Sequence, residues 1–169
     1  RTFCRVYQPK YRDAPHLSHL DDALDASLER LRQRGRVGII VLEAPPRHFK
    51  TSRIMAHMAR LLRHVAGASV AYCTYAGDIA KRRSRNVRDL AARAGVWVGE
   101  LQTTAQRFDP SKSVSFWQTD SGGQFVAGGR HGQFVGEGFH FICCDDLFKD
   151  LQESLSPVTQ DKAWATFKM

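Results

Sequence analysis

The sequence predicts an α/β fold: a mostly parallel sheet with helices on both faces, a three-layer sandwich. Two observations carry this. Apolar runs of strand character, over residues 37–42, 69–75 and 139–144, alternate with segments whose apolar residues recur at helical spacing. Glycines at 35, 67 and 95 stand where helices of that spacing would stop. Alternation favours parallel strands, because a parallel pair needs a long crossover connection. A chain of 169 residues suffices for one domain with a substantial core.

The elements follow in order. Residues 1–17, with Pro9 and Pro15, read as irregular. Ser18 is expected to cap a helix, with Asp21 three residues on. Leu17, Leu20, Leu24, Leu28 and Leu31 form its apolar stripe. A first strand is expected over about 36–42, then a tight loop. The next helix carries Ile54, Met58, Leu61 and Val65. A strand over 69–75 leads to a helix over about 78–94, faced by Ile79, Val87, Leu90, Ala91 and Ala94. Residues 96–98 read as a short strand and 99–112 as a loop. Asp120-Ser121-Gly122-Gly123 between two apolar runs signals a hairpin. Residues 139–144 are the last strand. The stretch 150–169 reads as loop then helix, with Trp164 and Phe167 as anchors.

Composition narrows the function classes. The chain is 43% hydrophobic and 25% charged, as in soluble globular proteins. No apolar run approaches the roughly 20 residues of a membrane span. Cys4, Cys73, Cys143 and Cys144 lack zinc-knuckle spacing and read as buried small hydrophobes in a reducing cytoplasm. Adjacent strand residues face opposite ways, so Cys143 and Cys144 make a poor chelate. A net charge of +8 points to an anionic partner, nucleic acid first.

The chemistry-bearing segment is Ala44-Pro45-Pro46-Arg47-His48-Phe49-Lys50-Thr51, between strand and helix. Strand, tight loop, Lys-Thr and helix is the layout of a phosphate-binding P-loop. A helix N-terminus offers N–H groups and positive dipole to a phosphate. Lys50 would add a point charge near the β- and γ-phosphates, and Thr51 a hydroxyl for Mg²⁺. Such a site demands a second strand ending in a carboxylate for the metal. Residues 139–144 followed by Asp145-Asp146 supply it, at the strand edge where open α/β sheets bind ligands. Asp145 is then the metal acid, and Asp146 the group that orients or deprotonates the attacking water.

The same segments resemble the large terminase subunits of tailed bacteriophages, the motors that pump DNA into procapsids. Residues 44–51 resemble that family's Ala-Pro-Pro-Arg-His-Gly-Lys-Ser loop. Tyr72-Cys73-Thr74-Tyr75 and the following Ser84-Arg85-Asn86-Val87-Arg88-Asp89-Leu90 resemble its second strand and basic helix. Gly122-Gly123, Ala127-Gly128-Gly129 and Gly136-Glu137-Gly138 resemble its glycine-rich stretch, and residues 142–150 its Walker B strand and turn. The similarity covers about residues 16–169.

The resemblance implies a P-loop NTPase of the additional-strand class, with ATP and Mg²⁺. It implies ATP hydrolysis driving double-stranded viral DNA into a procapsid. Lys50 and Thr51 match the phosphate and metal positions, Asp145 the Walker B acid and Asp146 the catalytic carboxylate. Arg47 resembles a γ-phosphate sensor. Pro46, His48, Phe49 and Ser52 complete the loop, and Gln8 is the candidate adenine contact. Arg85 is the candidate arginine offered in trans. Implied partners are the portal protein, the small terminase subunit and further copies in a ring, in the host cytoplasm at the procapsid portal, with no membrane. Residues 1–169 would form a single ATPase domain, truncated before the coupling motif and without the C-terminal nuclease domain; the isolated fragment would be a monomer.

The chain departs from the family pattern at Phe49, where glycine is usual, and at Glu137, where arginine is common. Glycine at the first of these positions often serves φ > 0 or close backbone approach, costly for a bulky residue, so either the loop bends differently here or nucleotide binding is weakened. Alternatives to the motor are a nucleotide- or DNA-binding module without turnover, or a helicase-like P-loop ATPase. Lys81, Arg85 and Arg88 line one helical stripe, read as a solvated face, a DNA contact or an arginine offered in trans. Arg83 projects near the apolar face and is expected to pair with a carboxylate or carbonyl. His57 and His64 are expected at the surface. Seven of thirteen glycines lie between Gly122 and Gly138, either a hairpin with long turns or a loop that moves.

Overall fold

A computed structural model describes residues 2–7, 14–35, 40–42, 48–101, 108–109, 113–132, 134 and 138–165. The helices are α1 (Thr2–Tyr7), α2 (Ser18–Arg34), α3 (Lys50–His64), α4 (Gly77–Arg93), α5 (Leu151–Ser154) and α6 (Pro157–Ala165). The strands are β1 (Ser69–Thr74), β2 (Val98–Leu101), β3 (Phe108–Asp109), β4 (Phe116–Thr119), β5 (Gln124–Gly129) and β6 (Phe141–Cys144). The protein is α/β, with a mixed sheet flanked by helices. No described helix is long and apolar enough to cross a membrane.

The sheet order is β3-β2-β4-β5-β1-β6. Strand β1 runs parallel to β5 and to β6. The β4–β5, β2–β4 and β2–β3 pairs are antiparallel. The expected parallel arrangement therefore holds at the β5-β1-β6 end alone. The physical reason is the Asp120–Gly123 turn, closed by Gly122 at φ 78° and by the Gly123 N–H donating to Thr119 Oγ1 at 2.9 Å. A turn that short can join only antiparallel neighbours.

The two faces differ. Val70, Tyr72, Trp117, Phe125 and Ala127 share one face and pack against Met58, Ala59 and Leu62 of α3 and Val87, Leu90 and Ala91 of α4. The Trp117 indole is fully buried, and its N–H donates to Ser84 Oγ at 2.9 Å, tying β4 to α4. Leu28 and Leu31 of α2 add to the same core. Ala71 and Cys73 face the other way, against Phe134, Phe139 and Leu147. No helical residue joins that second cluster among the described residues.

Several local expectations shift. Residues 2–7 are helical rather than irregular. The helix α2 follows a 3₁₀ turn at Pro15–Leu17, with Leu17 at its N-cap and no side-chain cap. Ser18 thus lies inside the helix, because proline already sets the entry φ. Asp21 turns inward instead, 3.6 Å from the buried Arg53 guanidinium. Of the expected first strand, residues 40–42 belong to no strand, and 36–39 lie outside the described residues. Strands β2 and β3 occupy part of the expected 99–112 loop. Trp164 is 63% exposed and anchors nothing, and Phe167 lies outside the described residues. Cys144 is exposed while Cys143 is buried, as alternation along a strand requires.

His57 is buried rather than at the surface. It lies between α2 and α3 with Nε2 3.0 Å from Ser27 Oγ. The Ser27 hydroxyl donates to Leu24 O, so the ring N–H at Nε2 donates to Ser27. Nδ1 is then a buried acceptor with no partner. Burial, followed by the nearby Arg60 charge, lowers the His57 pKa to about 4 from an ordinary 6.5. The unfolded chain therefore takes up this proton first. His57 adds stability above pH 6.5, and that stability is lost as pH falls from 6.5 toward 4. The change is about 3 kcal/mol at most. Urea unfolding between pH 7.5 and 4.5 should show this slope, and His57→Gln should flatten it.

Candidate functional site

Lys50 opens α3 and Asp145 follows β6, and the fold brings them together. Thr51 Oγ1 donates to Asp145 Oδ2 at 2.8 Å. Lys50 Nζ lies 3.8 Å from Asp145 Oδ1. The two halves of the sequence-derived site thus meet at one sheet edge. Asp145 is 4% exposed, and a carboxylate so buried needs donors. Tyr72 supplies another, its hydroxyl donating to the same Oδ2 at 2.9 Å. Burial and the facing Asp145 charge push the Tyr72 hydroxyl pKa upward, so it remains a donor throughout the physiological range. Burial and the same carboxylate also raise the Cys143 thiol, keeping it protonated.

Tyr72 escaped the sequence reading. Its position on β1, one strand over from β6 and paired with Cys143, is a matter of sheet register. The residue sits inside an apolar run, where an aromatic signals core rather than site.

Backbone conformation marks both sides of the site. Phe49 has φ 59° and Asp146 φ 50°, the two non-glycine residues in left-handed backbone among those described. The expected demand at position 49 is therefore real, and this chain meets it with phenylalanine. Asp146 is held by two donors from the end of β1: Tyr75 N–H at 3.0 Å and Thr74 Oγ1 at 3.2 Å, both to the Asp146 carbonyl. Its side chain is exposed beside the buried Asp145.

The turn beyond Asp146 is also braced. Arg130, just past β5, donates to Leu147 O at 3.1 Å and pairs with Glu153. That pairing holds the Glu153 carboxyl down to about 2. Asp150 caps α5 by accepting from Glu153 N at 2.8 Å.

A cavity of about 510 Å³ runs along the outer edge of β6. Lys50, Asp145 and Asp146 line its polar part, and Ile40, Leu42 and Ile54 its apolar part. This is within the ordinary size range of small-molecule sites.

Arg83 corrects an expectation. No carboxylate or carbonyl pairs with it among the described residues, and its Nε is buried without a hydrogen-bond partner. It lies on α4 close enough to Tyr72 for its charge to act on the phenol. The side chain as a whole is half-buried, so the cost falls on the Nε–H alone, and an acceptor nearby would offset it.

The remaining expected residues divide. Ser52 follows Thr51 in the first turn of α3, half-buried, and His48 is exposed. Arg85 is exposed on α4. Pro46, Arg47, Gln8 and Glu137 lie outside the described residues. Among the described residues no cluster of three or more His, Cys, Asp or Glu could hold a metal unaided. Thr51 and Asp145 are hard oxygen donors, which fits Mg²⁺, an ion that takes one or two protein oxygens plus water and phosphate. The Thr51 proton is committed to Asp145, so the hydroxyl lone pairs remain for a cation.

Comparisons with family models, curated proteins and solved structures returned no match to this chain.

Phe49 is 47% exposed, so truncating it forfeits the covered half of its surface, a loss that alanine and glycine share. Phe49→Gly should be more stable than Phe49→Ala by about 1 kcal/mol, because glycine alone relieves the left-handed backbone. Thermal or denaturant unfolding of the two proteins measures it directly.

Proposed function

We propose that the chain is an ATP-hydrolysing P-loop domain of the kind that drives double-stranded DNA translocation in a phage packaging motor. The observation that carries the hydrolase reading is the Thr51–Asp145 hydrogen bond. It joins a Lys-Thr helix start to a strand-end carboxylate, the donor set a nucleotide–magnesium complex requires. Terminase assignment rests on the sequence resemblance of the loop and of residues 142–150.

In this reading Lys50 and the first-turn N–H groups of α3 bind the β- and γ-phosphates. Thr51 and Asp145 would hold Mg²⁺, which would supply positive charge against the phosphate oxygens. Tyr72 keeps Asp145 oriented and saturated with donors. Asp146 orients a water toward the γ-phosphorus and takes its proton as the new P–O bond forms and the bond to ADP breaks. Arg47 and the unpaired Arg83 supply positive charge to the terminal phosphate. Arg85, exposed, faces an anion outside its own chain: a neighbouring subunit's nucleotide or the DNA backbone. The further partners of this reading are the portal protein, the small terminase subunit and other copies in a ring, working in the host cytoplasm at the procapsid portal.

Hydrolysis and nucleotide binding by wild type, Lys50→Ala and Asp146→Asn test the assignment. Asp146→Asn should lower turnover by about 10²- to 10⁴-fold while ATP binding persists. Lys50→Ala should lose binding. Hydrolysis that survives both substitutions unchanged would remove the P-loop assignment.

A further inference from the structure

A second cavity, of about 430 Å³, lies beyond the C-terminal end of α4. Arg88, Asp89 and Ala92 form one wall, and Val96, Trp97 and Val98 the other. The Trp97 indole is 70% exposed, although its neighbour Val96 is buried in the core. Its backbone is fixed, since Asp120 N–H donates to Trp97 O at 3.1 Å. A large apolar ring is thus presented to solvent from a rigid mount, largely uncovered by the described residues. Such a ring in water is unfavourable unless something covers it.

The surroundings say what covers it. The helix α4 carries Lys81, Arg82, Arg83, Arg85, Arg88 and Arg93 against Asp78 and Asp89. Lys81, Arg85, Arg88 and Ala92 share one stripe at i, i+4, i+7 and i+11. The stripe runs about 16 Å and ends at the Trp97 cavity. A row of cations leading to an exposed aromatic face matches a phosphate backbone with an unstacked base at its end. Duplex DNA hides its base faces, so an indole face contributes to single-stranded binding only. Asp89, at the rim, can accept from an exocyclic base amine.

We infer that α4 and Trp97 form a binding site for single-stranded nucleic acid, with phosphates on the Lys81–Arg85–Arg88 stripe and one base stacked on Trp97. The site is separate from the Lys50–Asp145 centre, and its test does not depend on ATP hydrolysis.

Fluorescence anisotropy with a labelled oligothymidylate and with a duplex of equal length, at several salt concentrations, decides it. Trp97→Ala should weaken oligothymidylate binding by about 5- to 150-fold. Trp97→Phe should restore part of that, and duplex affinity should not change in either variant. Arg85→Gln should weaken the single strand and reduce its salt slope by about 0.7. Thermal unfolding confirms that the Trp97 variants fold as wild type. Absence of oligothymidylate binding, or binding that Trp97→Ala leaves unchanged, overturns the inference. A Trp97→Ala loss equal for duplex and single strand also overturns it, because base stacking would not be its cause.

Discussion

The Asp145 carboxylate organises the structure around it. It sits at the C-terminal end of β6, buried, and takes hydrogen bonds from Thr51 of α3 and Tyr72 of β1, with Lys50 nearby. Three elements remote in sequence are thereby fixed on one point. A carboxylate in that position is tolerated only because its donors are in place, and the donors are in place only because β6 is parallel to β1 in the observed register. A shift of one residue along that ladder would turn Asp145 to the opposite face and leave Tyr72 without an acceptor.

Other buried polar groups lie between the helices. The Asp21–Arg53 pair, at 3.6 Å, crosses between α2 and α3 beneath α1. Burial pushes the Cys4 thiol of α1 upward, and the Arg53 contact opposes that. The inner helix interface thus holds a charge pair and the His57–Ser27 contact where a wholly apolar seam would suffice. Such groups restrict how the helices can slide, since each has few acceptable positions.

What the sequence made legible was local and periodic. The stripes of α2, α3 and α4 appeared as buried faces, with Leu24, Leu28, Ile54, Met58 and Val87 in the core. The Gly122 turn and the strand ending at Cys144 were equally plain, and so was the Lys50–Asp145 meeting, because both residues sat at ends of elements. Long-range features were not legible. The pairing of β2 with β4 and with β3 joins segments that no local pattern links. Tyr72 stands out because its hydroxyl reaches the Asp145 carboxylate of a strand remote in sequence, and Arg83 because it lies near Tyr72. The burial of His57 reflects α2 packing on α3, where Ser27 meets the ring.

The two left-handed residues, Phe49 and Asp146, carry a further implication. Each adjoins a residue of the central contact, one just before Lys50 and one just after Asp145. A β-carbon in that backbone region is crowded by its own peptide group, so each site stores conformational energy. The chain therefore keeps its tension on either side of the carboxylate-lysine contact, like two bent springs sharing one clasp. Release at either residue would reach the clasp through a single peptide bond, without any rearrangement of the core.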